Sequence, residues 1–310
     1  MSVRHIGPKE EIMTSGNQLS KQAEWIRQCE QSFAKKFFDI AEDICKRRGL
    51  RVVRLFGPTC SGKTTAAEIL ISLFADLGKR AHVISIDDFF YDRETLLEMT
   101  RDKGLKRLDY DSPDTIDCKE LSDFVEEIFT ADEVHCPIFD FTEGRRTGHR
   151  SIKIDDDDIF IFEGIQANYP NVIPMLSEHG SASVYIVPRD SVSAGGQVFE
   201  PNELRLMRRI VRDYHSRGSS PEFTMLLWES VRENEEKNIF PYVGEPDYTV
   251  SSSMDYEIGV LKPFLRDIIG RMDKNDKHYP DAVRILERIE GVEEIPAELI
   301  REGMLYCEFV

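Results

Sequence analysis

Apolar and polar positions change period several times along the chain, and each change predicts an element. In residues 17–48 the apolar residues Trp25, Cys29, Phe33, Phe37, Ile40 and Ile44 recur every three or four positions. That spacing puts them on one face of a long or broken amphipathic helix, which either packs on the side of a domain or binds a partner. Residues 1–16 show no such period and read as a loose tail. "RVVRLF", ending at Phe56, is short, β-branched and apolar, as a buried strand is. "TTAAEILISLFADLG" returns to helical spacing and stops at Gly78.

The alternation continues. "KRAHVISI" is a strand, and residues 94–103 and 118–129 are helical by pattern. "HCPIFDF" is a short extended piece, and "DDDDIFIFEG" is an acidic turn followed by a buried strand. "SASVYIVP" is a further strand. "PNELRLMRRIVRDYHSRG" and "SPEFTMLLWESVRENEEKN" are two helices around a Gly-Ser turn. "PDYTVSSS" is another short strand, and residues 256–272 form a closing helix. Strands alternating with helices predict an α/β fold, a parallel sheet flanked by helices on both faces. The expected organisation is a tail and helical extension at 1–49, a domain at 50–271 and a helical C-terminal extension at 272–310.

Composition narrows the function. A chain of 310 residues with 41% hydrophobic residues can bury a substantial core. Its 40 Lys and Arg against 57 Asp and Glu leave a net charge of −17. That excludes non-specific nucleic-acid binding, which needs a basic face, but not a small anion in a local basic pocket. The six cysteines form no C-x-x-C pair, as expected of free thiols in a reducing cytoplasm. Neither a signal-peptide core nor an apolar run approaching the ~18 residues of a membrane span is present, so no membrane partner is expected. A homo-oligomer is left open.

The candidate chemistry centres on "GPTCSGKT", which fits G-x-x-x-x-G-K-[ST] between a predicted strand and a predicted helix. Gly57 and Gly62 allow the backbone of Gly57, Pro58, Thr59, Cys60, Ser61, Gly62, Lys63, Thr64 and Thr65 to curl around phosphates. The helix start adds its positive end. Lys63 is expected to reach the β- and γ-phosphates of ATP, and the Thr64 hydroxyl to ligate Mg²⁺. "SIDDFF" puts Asp87 at a strand end, where ligands of open α/β sheets sit, as a candidate base for an attacking hydroxyl. Asp88 suits an N-cap of the next helix. Glu163, ending "IFIFE", is the second acid expected near the metal. The acids Asp155–Asp158 read as a solvated turn. Arg205, Arg209 and Arg212 share a helical face, with Arg217 just before Gly218. They read as an arginine lid on phosphates near 203–220, or as surface ion pairs.

Taken in order, "GPTCSGKT", "ISIDDFF", "YDSPDTID", "PIFDF", "IFEGI" and "RRIVRDYHSRG" resemble the uridine kinase/phosphoribulokinase family of P-loop kinases. The resemblance covers roughly residues 50–265 and implies a nucleoside-monophosphate-kinase-like P-loop NTPase fold. It also implies ATP with Mg²⁺ as donor and a small-molecule hydroxyl acceptor. By that resemblance Asp87 is catalytic with Lys63, Tyr110 and Asp111 hold the sugar, Arg209 lies on the substrate side, and Arg212 and Arg217 are lid arginines on ATP. The base pocket departs from the family. Phe139 and Gly144 stand where uridine kinases carry a Tyr and a His, and Ser219 and Leu227 replace an Arg and a Gln. Gly144 is expected to leave a gap. Arg145 and Arg146 are either a further anion-holding pair, with Arg146 the candidate substrate contact, or an exposed loop pair. A nucleoside is the first reading of the acceptor. A sugar, sugar phosphate or other polyol is the second, and an ATP-binding regulatory module is the alternative of another class.

Overall fold

The computed structural model describes residues 8–104 and 112–310, with side chains from residue 18 onward. Helix α1, Pro8–Lys46, leads into strand β1, Val52–Phe56, and helix α2, Lys63–Asp76. Strand β2, Ala81–Ser85, runs into a 3₁₀ turn at Ile86–Phe89, followed by helices α3, Arg93–Asp102, and α4, Cys118–Thr130. Strands β3, Glu133–Asp140, and β4, Arg145–Lys153, form an antiparallel hairpin. Then come strand β5, Ile159–Glu163, short helix α5, Ile173–Ser177, and strand β6, Ser181–Val187. A small hairpin of β7, Val192–Ala194, and β8, Gln197–Phe199, precedes helices α6, Pro201–Arg217, and α7, Pro221–Asn238. Strand β9, Tyr248–Ser251, helix α8, Glu257–Gly270, and helix α9, Tyr279–Ile289, follow, and a 3₁₀ turn at Leu305–Glu308 closes the chain.

The main sheet is parallel, in the order β2-β5-β1-β6-β9. Side chains alternate across β1: Val53 and Leu55 join one core, and Val52 and Phe56 join the other. The first core takes in α1, α2, α6, α8 and the closing segment, and the second takes in α4 and the β3–β4 hairpin. Both faces are therefore covered, and the central strand β5 is apolar from Ile159 to Phe162. The register brings the chemistry to one edge. Glu163 pairs with Leu55 and with Ser85, so the ends of β5, β1 and β2 meet just before the phosphate loop and the turn carrying Asp87.

Several sequence expectations change. The first helix is unbroken and begins at Pro8, not near residue 17. Helix-forming residues such as Lys9, Glu10 and Glu11 extend a helix without any apolar period. Its buried stripe is Ile26, Phe33, Phe37, Ile40, Ala41 and Ile44, whereas Trp25 is 41% exposed. The β4 strand escaped notice because it is polar and largely exposed, leaving no alternation to detect. Beyond α8, helix α9 and the last turn follow, and Leu305, Tyr306 and Phe309 are buried in the first core. In the acidic run, Asp155 to Asp157 are exposed but Asp158 is buried. There it meets Arg80 and His82. No described helix is long and apolar enough to cross a membrane.

Candidate active site

The loop between β1 and α2 is shaped by three backbone demands. A Cβ on Gly57 would collide with the Ile186 carbonyl oxygen and lie 2.8 Å from Ser61 Oγ, so this position takes no side chain. Gly62, the N-cap of α2, has φ 89°, and a side chain there would also meet Leu305. Cys60 adopts φ 58°, a left-handed conformation costly for a residue other than glycine. Two buried arginines of α6 brace the loop from behind. Arg205 Nε donates to the Thr59 carbonyl at 2.9 Å, and Arg208 Nη1 donates to the Cys60 carbonyl at 3.2 Å.

In front of the loop lies a cavity of about 330 Å³. Its walls are residues Thr59, Cys60, Ser61, Gly62, Lys63 and Thr64 of the loop, with Asp87, Phe90, Phe141, Glu163, Gly164, Ile165, Gln166, Arg212, Arg217 and Glu308. Lys63 Nζ lies 3.4 Å from the Pro58 carbonyl oxygen. The Ser61 hydroxyl is buried and has no hydrogen-bond partner among the described residues. An orphaned donor inside a ring of loop backbone is what an absent anion would satisfy. Gly57, Pro58 and Thr65 belong to the loop and helix start but do not line the cavity.

The acids are brought in by the strand ends. Asp87 Oδ1 accepts a hydrogen bond from Gln166 Nε2 at 2.7 Å, which fixes the carboxylate. Burial pushes the Glu163 carboxyl above the usual range. The Lys63 ammonium opposes that shift, and Asp87 and Glu308 add to it. Thr64 and Glu163 thus share the cavity as oxygen donors, a hard set that fits a Mg²⁺ ion. Asp88 does not cap the next helix, which starts from Asp92. Instead it accepts from the Phe139 N–H at 3.2 Å and lies 3.5 Å from Arg150, tying the hairpin to the sheet.

The arginine face is split by what surrounds it. Arg205 is buried against Glu235, and Arg208 against Glu257 and Tyr306, so both are loop braces rather than a lid. Arg209 pairs with Asp213 at 3.1 Å and is not among the residues that wall this cavity. Arg212 and Arg217 do reach it, and Arg212 also pairs with Asp213 at 2.7 Å.

On the acceptor side, Phe139 is buried behind the wall and its ring packs edge-on against Phe90 and Phe141, at 5.6 and 5.2 Å between centroids. The latter two rings reach the cavity. The expected gap at Gly144 is filled: a Cβ there would lie 2.6 Å from Arg93 Nε. Arg146 donates to the Phe89 carbonyl at 3.3 Å and to Asp117 at 3.1 Å and does not line the cavity, and Arg145 pairs with Glu143 at the surface. Tyr110 and Asp111 lie outside the described residues. A larger cavity, about 680 Å³ between α1, the β7–β8 turn and α8, carries no part of the phosphate loop.

Sequence reading missed Gln166, Phe90, Phe141 and Glu308. The first three had a local signal, since Phe90 and Phe141 end motifs already singled out and Gln166 directly follows "IFEGI". Glu308 had none.

A family model described as Phosphoribulokinase / Uridine kinase family matches residues 52–258. The uridine kinase of Mycoplasma genitalium is 28% identical over 183 residues, 58% of this chain and 74% of that protein. The uridine kinase of Lactobacillus johnsonii is 29% identical over 172 residues, 55% of this chain and 71% of that protein. Among solved structures, a protein from a Silicibacter species described as a fructose transport system kinase superposes with a TM-score of 0.50 at 17% identity. That superposition covers 69% of this chain and 98% of the other, and it shows a shared fold.

Proposed function

We propose that this chain, which belongs to the phosphoribulokinase/uridine kinase family, transfers the γ-phosphate of ATP to a hydroxyl of a small molecule, with Asp87 as the base. The observation that carries the proposal is a single cavity holding both the phosphate loop with Lys63 and the Asp87 carboxylate oriented by Gln166. Mere nucleotide binding needs no oriented carboxylate, which disfavours a regulatory module.

The roles follow from placement. The loop amides and the start of α2 hold the phosphates. The acceptor hydroxyl gives its proton to Asp87 as its oxygen forms a bond to the γ-phosphorus. The bond from that phosphorus to the β,γ-bridging oxygen breaks, and ADP leaves with the electron pair. Lys63, Arg212 and Arg217 offset the negative charge gathering on the transferred group. Thr64 and Glu163 would hold Mg²⁺, which when bound neutralises charge on the β- and γ-phosphates.

The proposed acceptor is a ribonucleoside, with its sugar at Asp87 and its base against Phe90 and Phe141. Those rings supply aromatic faces and no hydrogen-bond donor, so this wall grips the face of a flat ring rather than its edge. The same apolar wall also suits the ring face of a sugar or other polyol, which is the second reading. The test is Mg·ATP consumption by purified protein against nucleosides, sugars and sugar phosphates. Turnover with a nucleoside supports the first reading and turnover with free sugars alone supports the second. No acceptor-dependent turnover with any of them would sink the kinase assignment.

A further inference from the structure

We infer that the segment 305–310 is an autoinhibitory strap, in which the Glu308 carboxylate occupies the phosphate cavity and must lift out before nucleotide enters. This rests on the reading of that cavity as the nucleotide site.

Glu308 lines the cavity together with the phosphate loop, Arg212 and Arg217. Its Oε2 is buried without a hydrogen-bond partner among the described residues. Burial pushes its carboxyl upward, while Lys63, Arg212, Arg208 and Arg217 each favour the charged form. Its Oε2 therefore lies near these cations without a fitted partner, and burial outweighs their pull. Three of those cations, Lys63, Arg212 and Arg217, are the ones a triphosphate would use. One set of cations cannot serve a carboxylate and a phosphate in the same place.

The strap also rests directly on the loop. Leu305 covers Gly62, where an added Cβ would lie 2.4 Å from its Cδ1. Tyr306 hydrogen-bonds Glu257 and accepts from Arg208 Nε at 2.7 Å, and Arg208 in turn holds the Cys60 carbonyl. Phe309 packs on the Tyr306 ring at 5.5 Å. Just upstream, residues 301–303 are exposed and Gly303 has φ 85°, a natural hinge. With the strap seated, the cavity is about 330 Å³. That is near the lower end of the roughly 300–1,000 Å³ that houses one small ligand. A nucleoside triphosphate and its acceptor need the wall to move.

The experiment uses the full chain. Mg·ATP affinity is measured by calorimetry for the wild type, Glu308→Gln and Lys63→Ala. Amide hydrogen exchange over residues 304–310 is followed with and without saturating Mg·ATP. The strap predicts that Glu308→Gln binds Mg·ATP more tightly, by about 5- to 150-fold, the usual range for coupled sites. It also predicts that Mg·ATP speeds exchange in 304–310. An unchanged or weaker affinity in a folded Glu308→Gln protein overturns the strap and leaves the nucleotide site standing, with weaker binding marking Glu308 as a helper of nucleotide. If that variant does not fold, exchange in the wild type decides, and slower or unchanged exchange overturns the strap. If neither folded protein binds Mg·ATP, or Lys63→Ala binds it as well as wild type, the nucleotide-site reading fails and the strap falls with it.

Discussion

Arg208 Nε and Glu257 Oε2 lie 2.9 Å apart, and neither side chain reaches solvent. Burial disfavours the charged guanidinium, but Glu257 and Tyr306 outweigh burial and favour it. Removing one partner strands the other. Glu257→Ala is expected to cost ~3–5 kcal/mol in chemical denaturation. Arg208→Met combined with Glu257→Leu should recover most of that loss, because a filled apolar pair leaves no buried charge. A Glu257→Ala protein as stable as wild type would contradict the pairing.

Lys63→Ala should lose ATP-dependent turnover while keeping its circular dichroism. Undiminished phosphoryl transfer in that variant would sink the phosphate-loop assignment.

Asp87→Asn should still bind Mg·ATP and lose about 10²-fold or more in kcat, the scale of a lost general base. Gln166→Leu removes the group that orients Asp87. It should lower kcat by less, up to about 10²-fold for a misplaced base, with the KM for ATP little changed. Unaltered kcat on every acceptor would show that Asp87 is not the base.

Selectivity should follow the aromatic wall. A missing hydrogen-bond partner typically costs ~1–3 kcal/mol, or about 5- to 150-fold in affinity. Uridine and cytidine should therefore be poor substrates, or be only weakly separated from purine nucleosides or ribose in kcat/KM. Phe141→Ala should raise the acceptor KM more than it lowers kcat. A preference for pyrimidines of hundreds-fold would mean that other residues rebuild the base site.

Asp158 sets an acid limit on stability. Burial pushes its carboxyl up, but hydrogen bonds from Arg80, the Asp155 N–H and His82 outweigh that and hold it below the usual range. A depressed carboxyl contributes fully above the unfolded value of about 3.9 and loses its contribution as pH falls through the lower folded value. Asp158→Asn should cost ~2 kcal/mol at pH 7, kept modest by the exposure of Arg80. The gap to wild type should narrow between pH 7 and an acid value below the unfolded value of about 3.9. An equal gap at both values would show that the carboxylate's charge is not what stabilises.

What the chain determined by itself was local in sequence. The phosphate loop, the strand before it and the helix after it are contiguous, so spacing from Arg51 to Gly78 was enough to read them. The acids Asp87 and Glu163 were legible because strand ends in a parallel sheet converge on one edge, whatever lies between them. The polar strand β4 was not legible, because it presents no apolar alternation. The arginines of α6 showed one basic face, but their partners Glu235, Glu257 and Asp213 decided which of them brace the loop and which reach the cavity. The space at Gly144 looked empty because a residue's side chain says nothing about which distant one, here Arg93, will fill the volume beside it. Glu308 lies far along the chain from Lys63, and no pattern in "LYCEFV" marks a residue seated on the phosphate loop. Only the burial of Leu305, Tyr306 and Phe309 in the common core brings it there, and packing between distant segments leaves no period to read.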